Sequence, residues 1–255
     1  MKDLDTSKWN AKINNAVKEF WNAFPKQRGQ RRGSAAGVKN RKQLHGLIML
    51  CRDVLIEAGL SADEEIFWAS RTALPGYYRA ERNWSLVAVA DGELIAAIEV
   101  HAQLGPAVGN NFTNRVEQVV ASATDLWAAC DAGAFQQSQR PWLGYLLLVG
   151  DGSHAGKKLQ LSESHFPVLK EFKKKSPPTL RCELLMQCLR ERGLYNATSL
   201  MFAERENASI GHSTSPDTLD PHSFLESLSA HAREHVKRRT QRTAQPAGQS
   251  RRKRS

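Results

Sequence analysis

Apolar positions change their period along the chain, and each change predicts an element. Trp9, Ile13, Val17, Phe20, Trp21 and Phe24 recur at helical spacing, so a first amphipathic helix is expected to stop before Pro25. The Gly- and Arg-rich stretch that runs to about Val38 cannot continue it. Leu44, Leu47, Ile48, Cys51, Val54, Leu55 and Ala58 mark a second helix, with Gly59 placed to end it in a left-handed turn. A short strand is expected at 66–70, then a Pro-Gly loop, LPGYYR, at 74–79.

The clearest local signal comes next. Two β-rich runs, 84–90 and 93–102, flank Asp91-Gly92, a pair that tolerates positive φ, and this predicts a hairpin with a two-residue turn. Asn111 can cap a helix whose buried face is Val116, Val119, Val120, Ala123, Leu126, Trp127 and Cys130, ending near Gly133. Residues 142–149 are continuously apolar, as in a strand buried on both faces. Beyond it the pattern predicts a helix at 178–192, a strand at 199–203 and a last helix at 224–236, with 241–255 disordered. The order is helix, three strands, helix, strand, with added helices. That is an α/β fold without internal repeats.

A chain of 255 residues that is 41% hydrophobic can bury one sizeable core. We read a single domain over 1–236, interrupted by a basic loop at 25–43 and followed by a basic tail at 237–255. Apolar runs such as 144–150 are far shorter than the roughly 20 residues a membrane helix needs, and no signal-peptide pattern opens the chain. A cytoplasmic protein with no membrane partner is expected. Cys51, Cys130, Cys182 and Cys188 form no CxxC pair and read as reduced core residues.

Charge distribution adds a partner. Between Lys26 and Lys42 stand seven basic residues and no acidic one, and from His231 to Ser255 nine basic and one acidic. The loop contributes +7 and the tail +8 to a whole-chain +10, which leaves −5 for the rest. Positive charge so concentrated suits a phosphate backbone; a solvated loop and tail that aid solubility are the alternative.

The hairpin also gathers candidate chemistry. With Asp91-Gly92 as the turn, Ser85 falls opposite Ile98 and beside Glu99, while Glu99 and His101, two apart on one strand, share a face. A carboxylate projecting from a strand toward an Asn-rich loop is a candidate hard-metal ligand; a solvated Glu at a strand edge is the alternative reading.

Four segments carry a family resemblance: LPGYYR at 74–79, NWSLVAV at 83–89, IAAIEVHAQLGPAVGNNFTNR at 95–115 and RPWLGYLLL at 140–148. Their order and spacing resemble the XhoI-like type II restriction endonucleases over about 20–202, with GPAVGNNFTNR the most specific part and the basic tail excluded. The resemblance implies a PD-(D/E)xK restriction-endonuclease-like core, in agreement with the element order. It further implies Mg²⁺ held by an Asp and a Glu at the hairpin. A Lys two residues after the Glu would orient the attacking water and steady developing charge.

Carried onto this chain, the family's Glu falls on Glu99, its Asp on Ser85 and its Lys on His101. A serine hydroxyl is a weak, neutral Mg²⁺ ligand, so metal affinity is expected to fall. His101 can still act as electrophile or base near neutral pH. Asp91 lies at the far end of the hairpin, roughly 20 Å away at about 3.3 Å per residue, and cannot substitute. Asp53 and Glu57 resemble the helix acid that some nucleases of this fold contribute, and His45 stands where the family carries an acidic residue.

The same resemblance makes Asn110, Asn111, Asn114 and Arg115 candidate DNA contacts, since Asn pairs with adenine edges or phosphate and Arg with guanine or phosphate. Capping is the equal alternative for Asn111. Lys42 and Gln43, after the basic loop, are further candidates. The expected function is that of a type II restriction endonuclease-like protein. It would bind double-stranded DNA as a homodimer at a palindromic CTCGAG-type site, with Mg²⁺ as cofactor and site-specific deoxyribonuclease activity. The alternative is a catalytically inactive DNA-binding relative.

Overall fold

The first helix starts where its sequence provides a cap. Asp5 accepts the backbone N–H groups of Ser7 and Lys8, satisfying donors that the first turn of α1 (Thr6–Asn22) leaves without helical partners. The computed structural model describes residues 4–23, 42–104, 108–135, 139–150, 165–168, 170, 172, 178–203, 210–211 and 219–244. The basic loop up to Arg41 and the tail beyond Ala244 lie outside the described residues. α1 buries Trp9, Ile13, Val17, Phe20 and Trp21, the face expected from its periodicity. Helix α2 (His45–Glu57) follows, and Gly59 adopts φ 105 just past its end, as its position predicted. The two helices approach closely at Gly46, where a Cβ would lie 3.0 Å from Ala16 Cα.

Strand β1 (Ile66–Phe67) is shorter than expected. The LPGYYR segment is more ordered than a loop: β2 (Ala73–Pro75) and β3 (Glu81–Asn83) pair antiparallel as a separate ribbon around it. The hairpin is β4 (Leu86–Ala90) and β5 (Glu93–Leu104), and Asp91 and Gly92 take φ 53 and 79, the two left-handed residues of a type I′ turn. Helix α3 (Val108–Asp131), strand β6 (Trp142–Gly150), helix α4 (Pro178–Glu191), strands β7 (Ala197–Ala203) and β8 (Ile210–Gly211), and helix α5 (Pro221–Ala244) complete the order.

Six strands form one mixed sheet in the order β1-β4-β5-β6-β7-β8. The β5–β6 and β6–β7 pairs are parallel and the others antiparallel. β6 is buried at every position because helices cover both faces of the sheet. Ile98, Val100, Leu146 and Leu148 pack with α1, α2 and α5, whereas Ala97, Leu143, Tyr145 and Leu147 pack with α3 and α4. The α/β class and the expected core order are therefore present.

Three local expectations are corrected. α3 begins at Val108, so Asn111 lies inside its first turn rather than capping it. The helix is held by its apolar face on the sheet, which outweighs the weak helix propensity of its Gly-Asn-Asn opening. Cys188 is exposed, unlike the buried Cys51 and Cys182. α5 continues to Ala244, past the point where disorder was expected, because Arg239 pairs with Glu65 and Arg242 lies 3.6 Å from Glu93.

Candidate functional site

Strand alternation decides where Glu99 points. Its neighbours Ile98 and Val100 enter the core beneath α1, α2 and α5, which turns Glu99 and His101 toward the α3 and α4 side. Glu99 is only 2% exposed, so it is not the solvated strand-edge residue of the alternative reading. A carboxylate so buried needs charged or hydrogen-bonding partners. Arg82, on β3, donates from Nη1 to Glu99 Oε1, and its guanidinium also lies 4.8 Å over the Trp84 ring. His101 Nε2 lies 2.9 Å from Glu99 Oε2.

Arg115, on α3, extends the chain of contacts. Its Nη1 lies 3.0 Å from His101 Nδ1 and 3.2 Å from Gln118 Oε1. A guanidinium only donates, so Nδ1 accepts and the proton of a neutral His101 sits on Nε2, directed at Glu99. Burial pulls the His101 pKa below its ordinary value, and Arg115 and Arg82 act in the same direction against Glu99. Burial alone would raise the Glu99 carboxyl, but hydrogen bonds from His101 and Arg82 outweigh it and hold the group at about 2. Arg82 feels the converse: burial disfavours its charge, yet the bond to Glu99 prevails and its pKa is raised.

Ser85 reaches this cluster by a different register from the one the turn implies. Val89↔Leu94 and Ala90↔Glu93 pair as expected, but a bulge at Ala88/Val89 leaves Ile95 unopposed and Leu86 then pairs with Ile98. Continuation of that shifted register brings Ser85 level with Glu99 rather than with Ile98. The Ser85 hydroxyl accepts the Val100 N–H at 3.0 Å, and its own N–H donates to the Ile98 carbonyl at 3.0 Å. Its oxygen completes the ladder between the two strands.

These donors do not fit a magnesium ion. Mg²⁺ demands near-octahedral oxygen ligands, usually one or two carboxylates with phosphate and water. Here a single carboxylate gives one oxygen to Arg82 and the other to His101, and the serine oxygen is engaged by backbone. Among the described residues no group of three or more His, Cys, Asp or Glu side chains is arranged to hold a metal.

The remaining candidates are placed as follows. Asn114 is exposed on α3, and Asn110 and Asn111 fall in its first turn. Lys42 and Gln43 precede α2, in the layer across the sheet from the Glu99 carboxylate. Asp53 and Glu57 face α1, where Lys12 meets Asp53 and Lys8 meets Glu57, each at 2.6 Å, so neither joins Glu99. His45 packs edge-on against Trp68 with ring centroids 5.2 Å apart. Asp91 lies at the opposite end of the hairpin, 3.8 Å from His235.

Sequence reasoning missed three residues of this region. Arg82 sits in a polar three-residue strand with no apolar pattern; the signal available was the need of a buried Glu99 for a cation. Tyr145, level with Glu99 on β6, is fully buried, and its hydroxyl has no hydrogen-bond partner among the described residues. Its ring lies 5.5 Å from that of His101. Asp125, buried on α3, accepts the N–H groups of Tyr77 and Tyr78 at 2.9 and 2.7 Å and pairs with Arg79 at 2.9 Å, which fastens the LPGYYR loop beside the site.

Comparison with known proteins agrees with this arrangement of segments. The family model for restriction endonuclease XhoI matches residues 25–215. Type II restriction enzyme BstVI from Geobacillus stearothermophilus is 34% identical over 209 residues, covering 80% of this chain and 92% of the relative. Type II restriction enzyme AbrI from Azospirillum brasilense is 34% identical over 169 residues, 64% of this chain and 76% of the relative. Type II restriction enzyme XhoI from Xanthomonas vasicola is 31% identical over 198 residues, 74% of this chain and 79% of the relative. No solved structure matches the chain. With a buried glutamate in the long strand of its hairpin and a match that spans most of its length, the chain belongs to the restriction endonuclease XhoI family.

Proposed function

We propose that the chain is a type II restriction endonuclease-like protein that binds double-stranded DNA as a homodimer on a palindromic CTCGAG-type site. One observation carries the reading: the row Arg82, Glu99, His101, Arg115, in which two guanidinium groups bracket a buried carboxylate and a partly exposed imidazole where β5 leads to the Asn-rich start of α3. Guanidinium forks match phosphate oxygens, and Asn114 with Arg115 offers groups suited to phosphate or base edges. A palindrome presents its half-site twice, so a two-fold pair of chains reads it. Relatives named type II restriction enzymes support the same class of ligand.

Within this reading, recognition without Mg²⁺-dependent hydrolysis is favoured, since among the described residues Glu99 is the one carboxylate in the row Arg82, Glu99, His101, Arg115 and both its oxygens are engaged. The second reading, a site-specific deoxyribonuclease, is favoured by the relatives' names. Gel shifts at low salt with a CTCGAG duplex and a scrambled duplex test the ligand, and plasmid digestion with Mg²⁺ or Mn²⁺ tests the chemistry. The expected result is preferential retention of the CTCGAG duplex and an intact plasmid. Cutting by the wild-type chain establishes the second reading over the first. Failure to shift any duplex rejects both.

A further inference from the structure

A site that binds phosphate normally needs net positive charge, and here the charge is already present in the chain. Two carboxylates and a lysine, the set implied by the family resemblance, sum to −1 and cannot face a phosphodiester until a divalent cation joins them. The same three positions in this chain, Ser85, Glu99 and a neutral His101, also sum to −1, and it is Arg82 and Arg115 in contact with them that bring the cluster to +1.

Position matters as much as the sum. Arg82 donates directly to Glu99 Oε1, and its side chain is only 20% exposed against 3% for Glu99. Two supports hold the guanidinium there. The Trp84 ring lies 4.8 Å beneath it, and β3 is fixed to β2 by the pairs Ala73↔Asn83 and Pro75↔Glu81. The ribbon is itself fastened to α3 through Asp125. On the other side, His101 keeps Oε2 occupied and is backed by Arg115. A cation entering at Glu99 would have to displace Arg82, break its stacking on Trp84, and gain in exchange one carboxylate and a serine oxygen already bonded to Val100.

We propose that Arg82 is the resident cation of this site: it replaces a divalent ion at Glu99, so the cluster meets a DNA phosphodiester without metal and does not take one up. The phosphodiester half of this statement rests on the DNA-binding reading above; the metal half stands apart from it. Arg82 is therefore a positioning and charge-supplying residue held by Trp84 and Glu99, with its remaining donors available for an incoming phosphate oxygen.

Two readouts separate the halves. Titration of Mn²⁺ into the whole chain, followed by the electron paramagnetic resonance of free Mn²⁺, is expected to show no stoichiometric binding below about 1 mM for the wild type or for Ser85→Asp, and one bound ion for the double variant Arg82→Gln, Ser85→Asp. Gel shifts in EDTA and in Mg²⁺ are expected to give the same affinity for wild type at matched ionic strength. Arg82→Gln should bind about tenfold more weakly and lower the slope of log affinity against log salt by about one. Arg82→Lys keeps the charge with a smaller head group, and it should stay metal-free and EDTA-insensitive, which guards against a variant that does not fold. One Mn²⁺ bound per wild-type or Ser85→Asp chain, or a tenfold loss of DNA affinity in EDTA, overturns the proposal. If no duplex is shifted at all, the DNA-binding reading fails and the Mn²⁺ titration alone decides the place of Arg82.

Discussion

Glu99 shows how one side chain ties stability to pH. Its carboxyl is held at about 2 against an ordinary 4.5, with burial opposing and the bonds from His101 and Arg82 prevailing. Because the folded value is the lower one, the stabilisation is complete above about pH 4.5 and is lost as pH falls toward 2. At about 1.4 kcal/mol per pKa unit this amounts to about 3 kcal/mol. Urea melts from pH 6 to pH 2 should therefore show wild type losing about 3 kcal/mol more than Glu99→Gln over that interval. Parallel curves for the two proteins would show that the carboxylate is not held as described. Sequence alone placed Glu99 and His101 on one face by strand alternation but set Ser85 opposite Ile98, and the bulge at Ala88/Val89 is what brings Ser85 level with Glu99. Nor did sequence reveal Arg82, which arrives from a strand whose three residues carry no periodic signal.

At the scale of elements, apolar periodicity predicted the long helices and the buried strands, and it failed where another force sets the structure. The β2–β3 ribbon is one such place. It stands apart from the main sheet, and its turn is gripped by Asp125, an acid on the helix that follows the site strand. No local pattern in LPGYYR announces a partner 47 or 48 residues away. Asp125→Ala removes the acceptor of two backbone N–H groups and the partner of Arg79, and a loss of about 2–3 kcal/mol is expected. Limited proteolysis should show new cleavage at Tyr77 and Tyr78, already 60% and 71% exposed, before any other site opens. Unchanged protection there would mean that the ribbon holds the loop without Asp125. The bulge beside the turn was equally invisible, since an extra residue in one strand leaves the hydrophobic run unbroken.

For the whole molecule, the last helix links parts of the chain that the sequence kept separate. The basic residues near the C-terminus looked like the start of a disordered tail, yet Arg239 bonds Glu65 before β1 and Arg242 approaches Glu93 at the start of β5. Truncation after Val236 removes both pairs along with the last turns of α5. Melting should show a loss of roughly 1–2 kcal/mol, the range for partly exposed and partly buried pairs together. A melting curve identical to that of the full chain would show the segment to be dispensable. The same hairpin carries a constraint of parity. Since Ile95 has no opposite residue, inserting or deleting one residue between Glu93 and Glu99 would turn the carboxylate from the α3 side to the α1 side of the sheet, away from His101's partners. A change of two would restore the face but slide the acid one pair, about 6.6 Å, along the strand. A change of length between Glu93 and Glu99 is thus poorly absorbed, and the single unpaired isoleucine keeps count for the whole site.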